Sequence, residues 1–234
     1  AQQPFFATIF SLSSHNPYRV PEELDSKYEP GPFPIHKAVR YADDSIRMFF
    51  EAAKLTDWYD DTLFFITGDH TADLVTKKYN NQIGKYMVPF LVFDPSGEVE
   101  TGIDLSIGQQ IDIGPTILAL TGADANDGVS PFFGRVLISE NNVQRDPGLA
   151  YYRVGSIFRL ITADRTYDLS LNDDSSVVKS RPHQMQFIDE DTKLNASYAG
   201  LPILKTHQFF NINYAIFLKA TVEYHHKAMI DNKF

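Results

Sequence analysis

The feature that most constrains the fold is a short apolar run that ends in an acid and an imidazole, in the stretch DDTLFFITGDHTADLV at residues 60–75. The segment TLFFIT has apolar side chains at successive positions, which is typical of a strand buried on both faces at the centre of a parallel sheet. Gly68, Asp69 and His70 follow directly, and Gly68 is expected to let the backbone turn. The sequence therefore predicts a strand that delivers two polar side chains to the edge of a sheet.

The segments around this strand predict an α/β fold. Residues 5–12, FFATIFSL, indicate a short buried strand, so that His15 lies just past its carboxyl end. A helix is predicted from Pro34, because apolar residues recur at spacings of three and four in the segment that follows. Residues 87–93, MVPFLVF, indicate another strand, in which Pro89 favours a strand start or an edge. Strand, helix and strand in this order predict a mostly parallel sheet with flanking helices.

The pattern changes in the second half of the chain. A short helix is predicted at about residues 115–120, with Gly122 as its C-cap. The segment AYYRVGSIFRLITADRTYDLSL predicts a small antiparallel sheet, and residues 209–234 predict a closing amphipathic helix. We therefore predict an α/β domain over residues 1–148, and a small antiparallel sheet with a C-terminal helix over residues 149–234.

Composition excludes several classes of function. The net charge is −9 and the sequence has no cluster of Lys and Arg, so nucleic acid is not an expected partner. There is no cysteine, which excludes disulfides and thiolate metal sites. No apolar run approaches the roughly 18 to 20 residues of a membrane span, and the N-terminus lacks the basic segment of a signal peptide. We therefore expect either a cytosolic protein or part of a longer one.

Two polar clusters are expected at the carboxyl ends of the predicted strands, where open α/β sheets bind ligands: His15 with its neighbours, and Asp69 with His70. An acid beside a neutral imidazole offers one oxygen and one nitrogen ligand, which suits Mn²⁺, Zn²⁺ or a similar ion. The alternative is that Gly-Asp-His caps a turn and binds nothing, and the residues alone leave both open. Thr71 and Asp73 are expected to cap a helix rather than bind an ion.

Four blocks in this order, SSHNPY, YADDSIRMFF, TLFFITGDHT and IDIGPTILALTG, resemble the C-terminal half of lipoteichoic-acid-synthase-like phosphoglycerol transferases. These enzymes belong to the alkaline phosphatase and sulfatase superfamily, and the resemblance covers nearly the whole chain. It implies the C-terminal part of that fold. By similarity, Asp69 and His70 look like two ligands of a divalent metal, with Mn²⁺ expected and Mg²⁺, Zn²⁺ or Ca²⁺ as alternatives. His15 looks like the catalytic and substrate-binding histidine that contacts the phosphate or the leaving group.

The resemblance also implies what this chain does not contain. In the family a nucleophilic Thr and another acidic ligand lie upstream of the position matching Ala1, so no nucleophile is expected here and the chain alone should be inactive. The implied whole protein is extracytoplasmic and anchored by preceding membrane helices. It acts on a lipid head group or a glycan, and its N-terminal half is the partner of this chain, joined to it or separate.

Two other functions stay open at the level of sequence. A sulfatase would share the fold and the metal, but its upstream nucleophile would be a Cys or Ser matured to formylglycine. In a non-catalytic envelope binding domain, Asp69 and His70 would form only a structural hydrogen bond. The identity of the residue at the nucleophile position separates the first alternative from a phosphoglycerol transferase.

Overall fold

The structure is a computed structural model that describes residues 4–72, 79–104, 106–123, 134–138, 148–162, 165–170 and 178–182. The chain divides into two compact units, Ala1–Val99 and Glu100–Phe234. The domain boundary expected at residue 148 stays a prediction. No helix among the described ranges is both long and apolar enough to cross a bilayer.

The described residues of the first unit form one long helix and two short strands. Helix α1 is Pro34–Ala53, strand β1 is Phe64–Thr67 and strand β2 is Phe90–Phe93; short 3-10 helices lie at Glu22–Lys27 and Gly84–Tyr86. The helix begins at Pro34 as predicted, because proline has no N–H to leave unpaired in the first turn. Strand β2 begins directly after Pro89, which confirms the interpretation of that proline as a strand start.

Aromatic rings connect α1 to the two strands. The ring of Phe50 lies 5.0 Å from that of Phe64 and 5.4 Å from that of Phe93, and both pairs have edge-to-face geometry. Phe64 and Phe93 are also directly opposite each other in the sheet. Edge-to-face pairs at such distances are favourable beyond the apolar area that they bury. The contacts place one face of the β1–β2 pair against the helix.

The parallel sheet predicted for this unit is not confirmed, because β1 and β2 pair antiparallel, from Phe64 opposite Phe93 to Thr67 opposite Phe90. The side chains of β1 are half-buried or exposed rather than fully buried. An apolar run indicates that a segment can form a strand, but it carries no information about the direction of the neighbouring strand. The described part of the β1–β2 connection has only a 3-10 turn, not the crossover helix that a parallel pair requires.

The predicted strand at residues 5–12 is wrong for this structure. The segment has no regular secondary structure and most of its side chains are exposed, with Phe6 and Ile9 each at 79%. A strand is held by hydrogen bonds to a neighbour, and none of the described strands pairs with this segment. Strand-forming composition without a partner strand leaves an apolar segment at the surface.

The second unit begins with a short helix. Helix α2 is Ile113–Thr121, and a 3-10 turn at Gln110–Asp112 leads into it. Gly122 follows with φ 65°, in the left-handed region, which confirms the prediction of a glycine C-cap.

An antiparallel meander follows. Strands β3 (Ala150–Val154), β4 (Ile157–Ile161), β5 (Arg165–Ser170) and β6 (Val178–Pro182) lie in chain order in one sheet. This confirms the predicted small antiparallel sheet. Among the described residues, the side chains of Phe158, Leu160 and Leu169 are buried together and form its core. The helix predicted at residues 209–234 lies outside the described residues.

Candidate functional site

The predicted metal ligands lie side by side at the corner that follows β1. The backbone N–H of His70 donates to Asp69 Oδ1 at 2.8 Å, and His70 Nε2 lies 3.5 Å from Asp69 Oδ2. The side chains of Asp69 and His70 are 55% and 72% exposed. The carboxylate and the imidazole therefore face the same region of solvent at the end of the strand, as the sequence predicts.

His70 also makes a hydrogen bond through Nδ1, which lies 2.9 Å from the carbonyl oxygen of Thr71. A carbonyl only accepts hydrogen bonds, so this contact requires a proton on Nδ1. In metal-binding histidines, the nitrogen that does not bind the metal is usually bonded to a carbonyl or a carboxylate in this way.

Two threonine hydroxyls tie the corner to the segment that precedes β2. Thr67 Oγ1 donates to the carbonyl of Pro89 at 2.9 Å, and Thr71 Oγ1 donates to the carbonyl of Lys85 at 2.5 Å. The sequence predicts a helix-capping role for Thr71, whereas its hydroxyl binds a backbone carbonyl of another segment. Sequence alone gives no signal for that long-range contact. Asp73 lies outside the described residues.

Gly68 has a smaller role than the sequence suggests. Its φ is not positive, and a Cβ added there would contact Val88 Cγ1 at 3.6 Å, an ordinary van der Waals distance. The backbone reaches Asp69 by a path that other residues can also adopt.

His15 lies in a tight turn elsewhere in the same unit. Its N–H donates to the carbonyl of Leu12 at 3.0 Å, and its carbonyl accepts from the N–H of Tyr18 at 2.7 Å. His15 Nδ1 lies 2.8 Å from the carbonyl oxygen of Asn16. As in His70, this contact requires a proton on Nδ1.

The geometry of Asp69 and His70 is compatible with two ligand positions around one ion, and the described residues form no complete metal site. Two atoms that each lie about 2.0–2.2 Å from one zinc ion are at most about 4.4 Å apart, so the 3.5 Å between His70 Nε2 and Asp69 Oδ2 fits two positions around one ion. One oxygen and one nitrogen suit a borderline divalent metal. No three His, Asp or Glu side chains in the described ranges are close enough to hold a metal, so His15 does not join Asp69 and His70 in such a group.

Comparison of the sequence with known families shows to which family the chain with Asp69 and His70 belongs. A sequence model of the family described as Sulfatase matches residues 1–123, which include His15, Asp69, His70 and α2. The chain belongs to the sulfatase family. The sheet of β3–β6 follows the matched part of this sulfatase-family chain.

Individual relatives of this sulfatase-family chain agree with the family match. Lipoteichoic acid synthase 1 of Bacillus subtilis is 25% identical over 207 residues, a match that covers 78% of this chain and 32% of the relative. Lipoteichoic acid synthase of Staphylococcus saprophyticus is 28% identical over 141 residues, covering 54% and 22%. The resemblance predicted from the sequence is thereby confirmed.

A solved structure supports the same assignment. A protein in the alkaline phosphatase superfamily from Vibrio parahaemolyticus is 26% identical, with a TM-score of 0.57, and the match covers 78% of this chain and 44% of that one. The chain is thus related to enzymes of the sulfatase and alkaline phosphatase superfamily, as predicted. It spans about a third of the length of the first curated relatives, with 32% and 28% covered.

Proposed function

We propose that this chain forms the C-terminal part of a metal-dependent transferase of the phosphoglycerol or phosphoethanolamine type, acting on lipid head groups or cell-envelope glycans. The similarity to lipoteichoic acid synthases supports the reaction class. The observation that carries the metal role is the pair of atoms His70 Nε2 and Asp69 Oδ2, 3.5 Å apart and both at the surface.

The two ligands make different contributions to such a site. The Asp69 carboxylate supplies negative charge, and its Oδ1 accepts the N–H of His70, which holds the carboxylate relative to the imidazole. His70 would supply Nε2 as a nitrogen ligand, while its Nδ1 is bonded to the Thr71 carbonyl. A bound divalent ion, Mn²⁺ by the resemblance, would activate a hydroxyl nucleophile and neutralise phosphoryl oxygens.

We propose that His15 accepts and donates the proton during transfer and contacts the phosphate. With Nδ1–H donated to the Asn16 carbonyl, the neutral ring accepts a proton at Nε2. The protonated ring then donates from Nε2 to a phosphoryl oxygen or to the oxygen of the leaving group. One side chain can therefore serve as base in one half of a transfer and as acid in the other.

The remaining parts of the site are proposed to come from the preceding part of a longer protein. A nucleophilic Thr that carries the covalent phospho-intermediate and a third metal ligand would both lie there. The support is that the curated relatives are about three times as long as the matched segment, and that no group of three metal-binding side chains forms within the described ranges.

The exposed apolar segment at residues 5–12 supports the proposal that an N-terminal half packs against this chain. Its large exposed side chains are Phe5, Phe6, Ile9, Phe10 and Leu12. Contiguous apolar surface of this kind usually marks an interface. We propose that the N-terminal half of the same protein, joined or as a separate chain, covers this segment. That half would also carry the membrane helices of an extracytoplasmic, membrane-anchored enzyme.

The test uses the full-length protein, vesicles that contain a glycerophospholipid with a labelled phosphoglycerol head group, and Mn²⁺. Loss of an outer-shell partner weakens metal binding by about 10- to 100-fold. Asp69→Asn removes a direct ligand, so it should weaken Mn²⁺ binding by more than this and should abolish head-group transfer. Asp43→Asn, on an exposed position of α1, is the matched control and should change neither measurement. Wild-type Mn²⁺ affinity in Asp69→Asn would refute the metal role and favour a non-catalytic domain.

A second variant separates chemistry from metal binding. His15→Gln should lower the transfer rate by about 10²- to 10⁴-fold, the usual range for a general acid–base residue, while Mn²⁺ affinity stays at the wild-type value. His36→Gln, at the start of α1, is the matched histidine control.

If the protein instead hydrolyses an aryl sulfate and transfers no phosphoglycerol, the sulfatase alternative is the correct one.

A further inference from the structure

The four strands β3–β6 carry a charge opposite in sign to that of the whole chain. Their sequences, AYYRV, IFRLI, RTYDLS and VKSRP, contain five basic residues and one acidic residue. The whole chain has 21 basic and 30 acidic residues and a net charge of −9. Positive charge is therefore concentrated in this sheet, because strand pairing brings together basic residues that are separate in sequence.

Two of these basic side chains lie at the surface on one face of the sheet. Lys179 and Arg181 are exposed and are two positions apart in β6, so their side chains point to the same face. Lys179 is directly opposite Asp168. The carboxylate of Asp168 is already paired with Arg159, so its charge is compensated. Among the described strands β6 lies at an edge of the sheet, and this edge carries a net positive charge.

The same face carries exposed apolar side chains at the turn between β3 and β4. Val154 and Ile157 are directly opposite each other, and they are 45% and 38% exposed. Ile157 lies two positions before Arg159, which is in register with Lys179 across β5, so all three side chains share a face. The core residue Phe158 points to the other face. Apolar and basic side chains are thus exposed together on the face away from the core.

We propose that this face, defined by Val154, Ile157, Lys179 and Arg181 and called the basic face, docks on a lipid surface that contains anionic phospholipids. Cations close to such a surface each strengthen binding. Apolar side chains beside them enter the boundary between head groups and acyl chains. The choice of a lipid surface rests on the proposed function, in which the substrate is a lipid head group. A nucleic acid also offers phosphates, but its backbone has no apolar layer to receive Val154 and Ile157.

The experiment measures binding of the 234-residue chain to vesicles by co-sedimentation, without metal. Vesicles of phosphatidylcholine and phosphatidylglycerol in equal amounts are compared with vesicles of phosphatidylcholine alone. The chain should bind the anionic vesicles more tightly than the neutral ones. Salt at about 0.5 M should remove most of this difference, because it screens exposed charges.

Variants on the basic face test which residues carry the binding. Lys179→Gln with Arg181→Gln should weaken binding to anionic vesicles by about 25-fold, or about fivefold for each charge. Lys54→Gln, at an exposed position just after α1, is the matched control and should bind as wild type does. Val154→Thr with Ile157→Thr keeps β-branched side chains and should weaken binding by about 10-fold. Thermal unfolding shows which variants are folded, and the two pairs are changed separately so that one folded pair suffices.

Three results would overturn the inference. The first is equal binding of anionic vesicles by wild type and by Lys179→Gln with Arg181→Gln, and the second is an equal loss in Lys54→Gln, which would indicate a general charge effect. The third is binding of a single-stranded oligonucleotide in place of vesicles, which would assign the basic face to nucleic acid.

The docking surface and the proposed function can fail separately. If vesicles bind as expected but the full-length protein transfers no head group, the proposed function fails and the docking surface stands. If the wild-type chain binds no vesicles and Lys179→Gln with Arg181→Gln self-associates, the edge cations serve only to prevent pairing between edge strands, and the inference is wrong.

Discussion

Asp112 Oδ1 accepts a hydrogen bond from the backbone N–H of Arg135 at 2.8 Å, across 23 residues of chain. Its other oxygen accepts from the backbone N–H of Gln109 at 2.8 Å, and Asp112 is only 2% exposed. One turn further along α2, the fully buried Thr116 accepts from the backbone N–H of Leu137 at 3.0 Å. Two buried side chains thus bind the amides of Arg135 and Leu137 and hold that segment against the start of α2.

We predict that Asp112→Ala lowers the free energy of unfolding by about 3 kcal/mol, because two half-buried N–H groups lose a charged acceptor. Urea unfolding of the protein measures the change. Asp104→Ala is the matched control: Asp104 accepts from the backbone N–H of Ser106 at 2.8 Å, but at an exposed site. Its effect should stay below about 1 kcal/mol. Equal effects for the two variants would show that burial of Asp112 contributes nothing.

The elements that the sequence predicts well are those whose signals are local. Pro34 and the apolar stripe behind it predict the start of α1, and Gly122 predicts the end of α2. The direction of β2 and the lack of a partner for residues 5–12 depend on which segments meet in space, and periodicity does not encode that. The carboxylate–imidazole pair was predictable because Asp69 and His70 are neighbours in sequence. The hydroxyl contact of Thr71 was not, because Lys85 is 14 residues away.

Asp44 provides a prediction about pH. Its carboxylate accepts from Lys27 Nζ at 2.6 Å and from the Tyr28 hydroxyl at 2.7 Å, and Arg47 donates to its other oxygen. These bonds hold the pKa of Asp44 well below its usual range, and the bond from Lys27 lowers that pKa the most. A depressed pKa stabilises the fold above the unfolded value of about 3.9 and ceases to do so as the pH falls toward the folded value.

Asp44→Asn should therefore be less stable than wild type at pH 7, and the difference should shrink steadily below about pH 4. Chemical unfolding at a series of pH values measures this, with Asp43→Asn as the control on the same helix. Because the site is near solvent, 0.5 M salt should also reduce the difference. A difference in the free energy of unfolding between wild type and Asp44→Asn that does not vary with pH would contradict the assignment of the carboxylate as the stabilising group.

The second unit contains an ion pair that should be sensitive to the loss of one partner. Arg159 Nε lies 2.6 Å from Asp168 Oδ1 and Nη2 lies 2.7 Å from Oδ2, while Nη1 donates to the Tyr152 hydroxyl at 3.1 Å. Arg159 is only 8% exposed, and the bond to Asp168 raises its pKa further above the ordinary value. The guanidinium stays charged even when the carboxylate is removed, because the ordinary pKa of arginine already lies far above neutral pH.

Asp168→Ala should lower the free energy of unfolding by about 3–5 kcal/mol, because it leaves a buried charge without its partner. The double variant Arg159→Met with Asp168→Leu should recover most of that loss, since it removes both charges and keeps the volume. Urea unfolding of the two proteins gives the comparison. If the double variant is as unstable as Asp168→Ala, the cost arises from lost packing and not from the unpaired guanidinium.

Two glycines beside the candidate site should respond in opposite ways to alanine. At Gly68 an added Cβ would meet Val88 at 3.6 Å, an ordinary contact. At Gly84 it would lie 2.5 Å from the carbonyl oxygen of Tyr79 and 2.7 Å from its Cα, and backbone atoms cannot move aside as a flexible side chain does. The second position needs glycine for the close approach of two chain segments, whereas the first does not.

We expect Gly68→Ala to change the free energy of unfolding by less than about 1 kcal/mol and to leave Mn²⁺ affinity within a few-fold of wild type. Gly84→Ala should cost about 1–3 kcal/mol, the usual cost of overpacking. It should also weaken Mn²⁺ binding. The backbone displacement caused by the added Cβ would move Lys85, whose carbonyl accepts the hydrogen bond from the Thr71 hydroxyl next to His70. Unfolding and metal titration of both variants test the pair. Loss of binding in Gly68→Ala with normal stability would show that the corner requires glycine for the site itself.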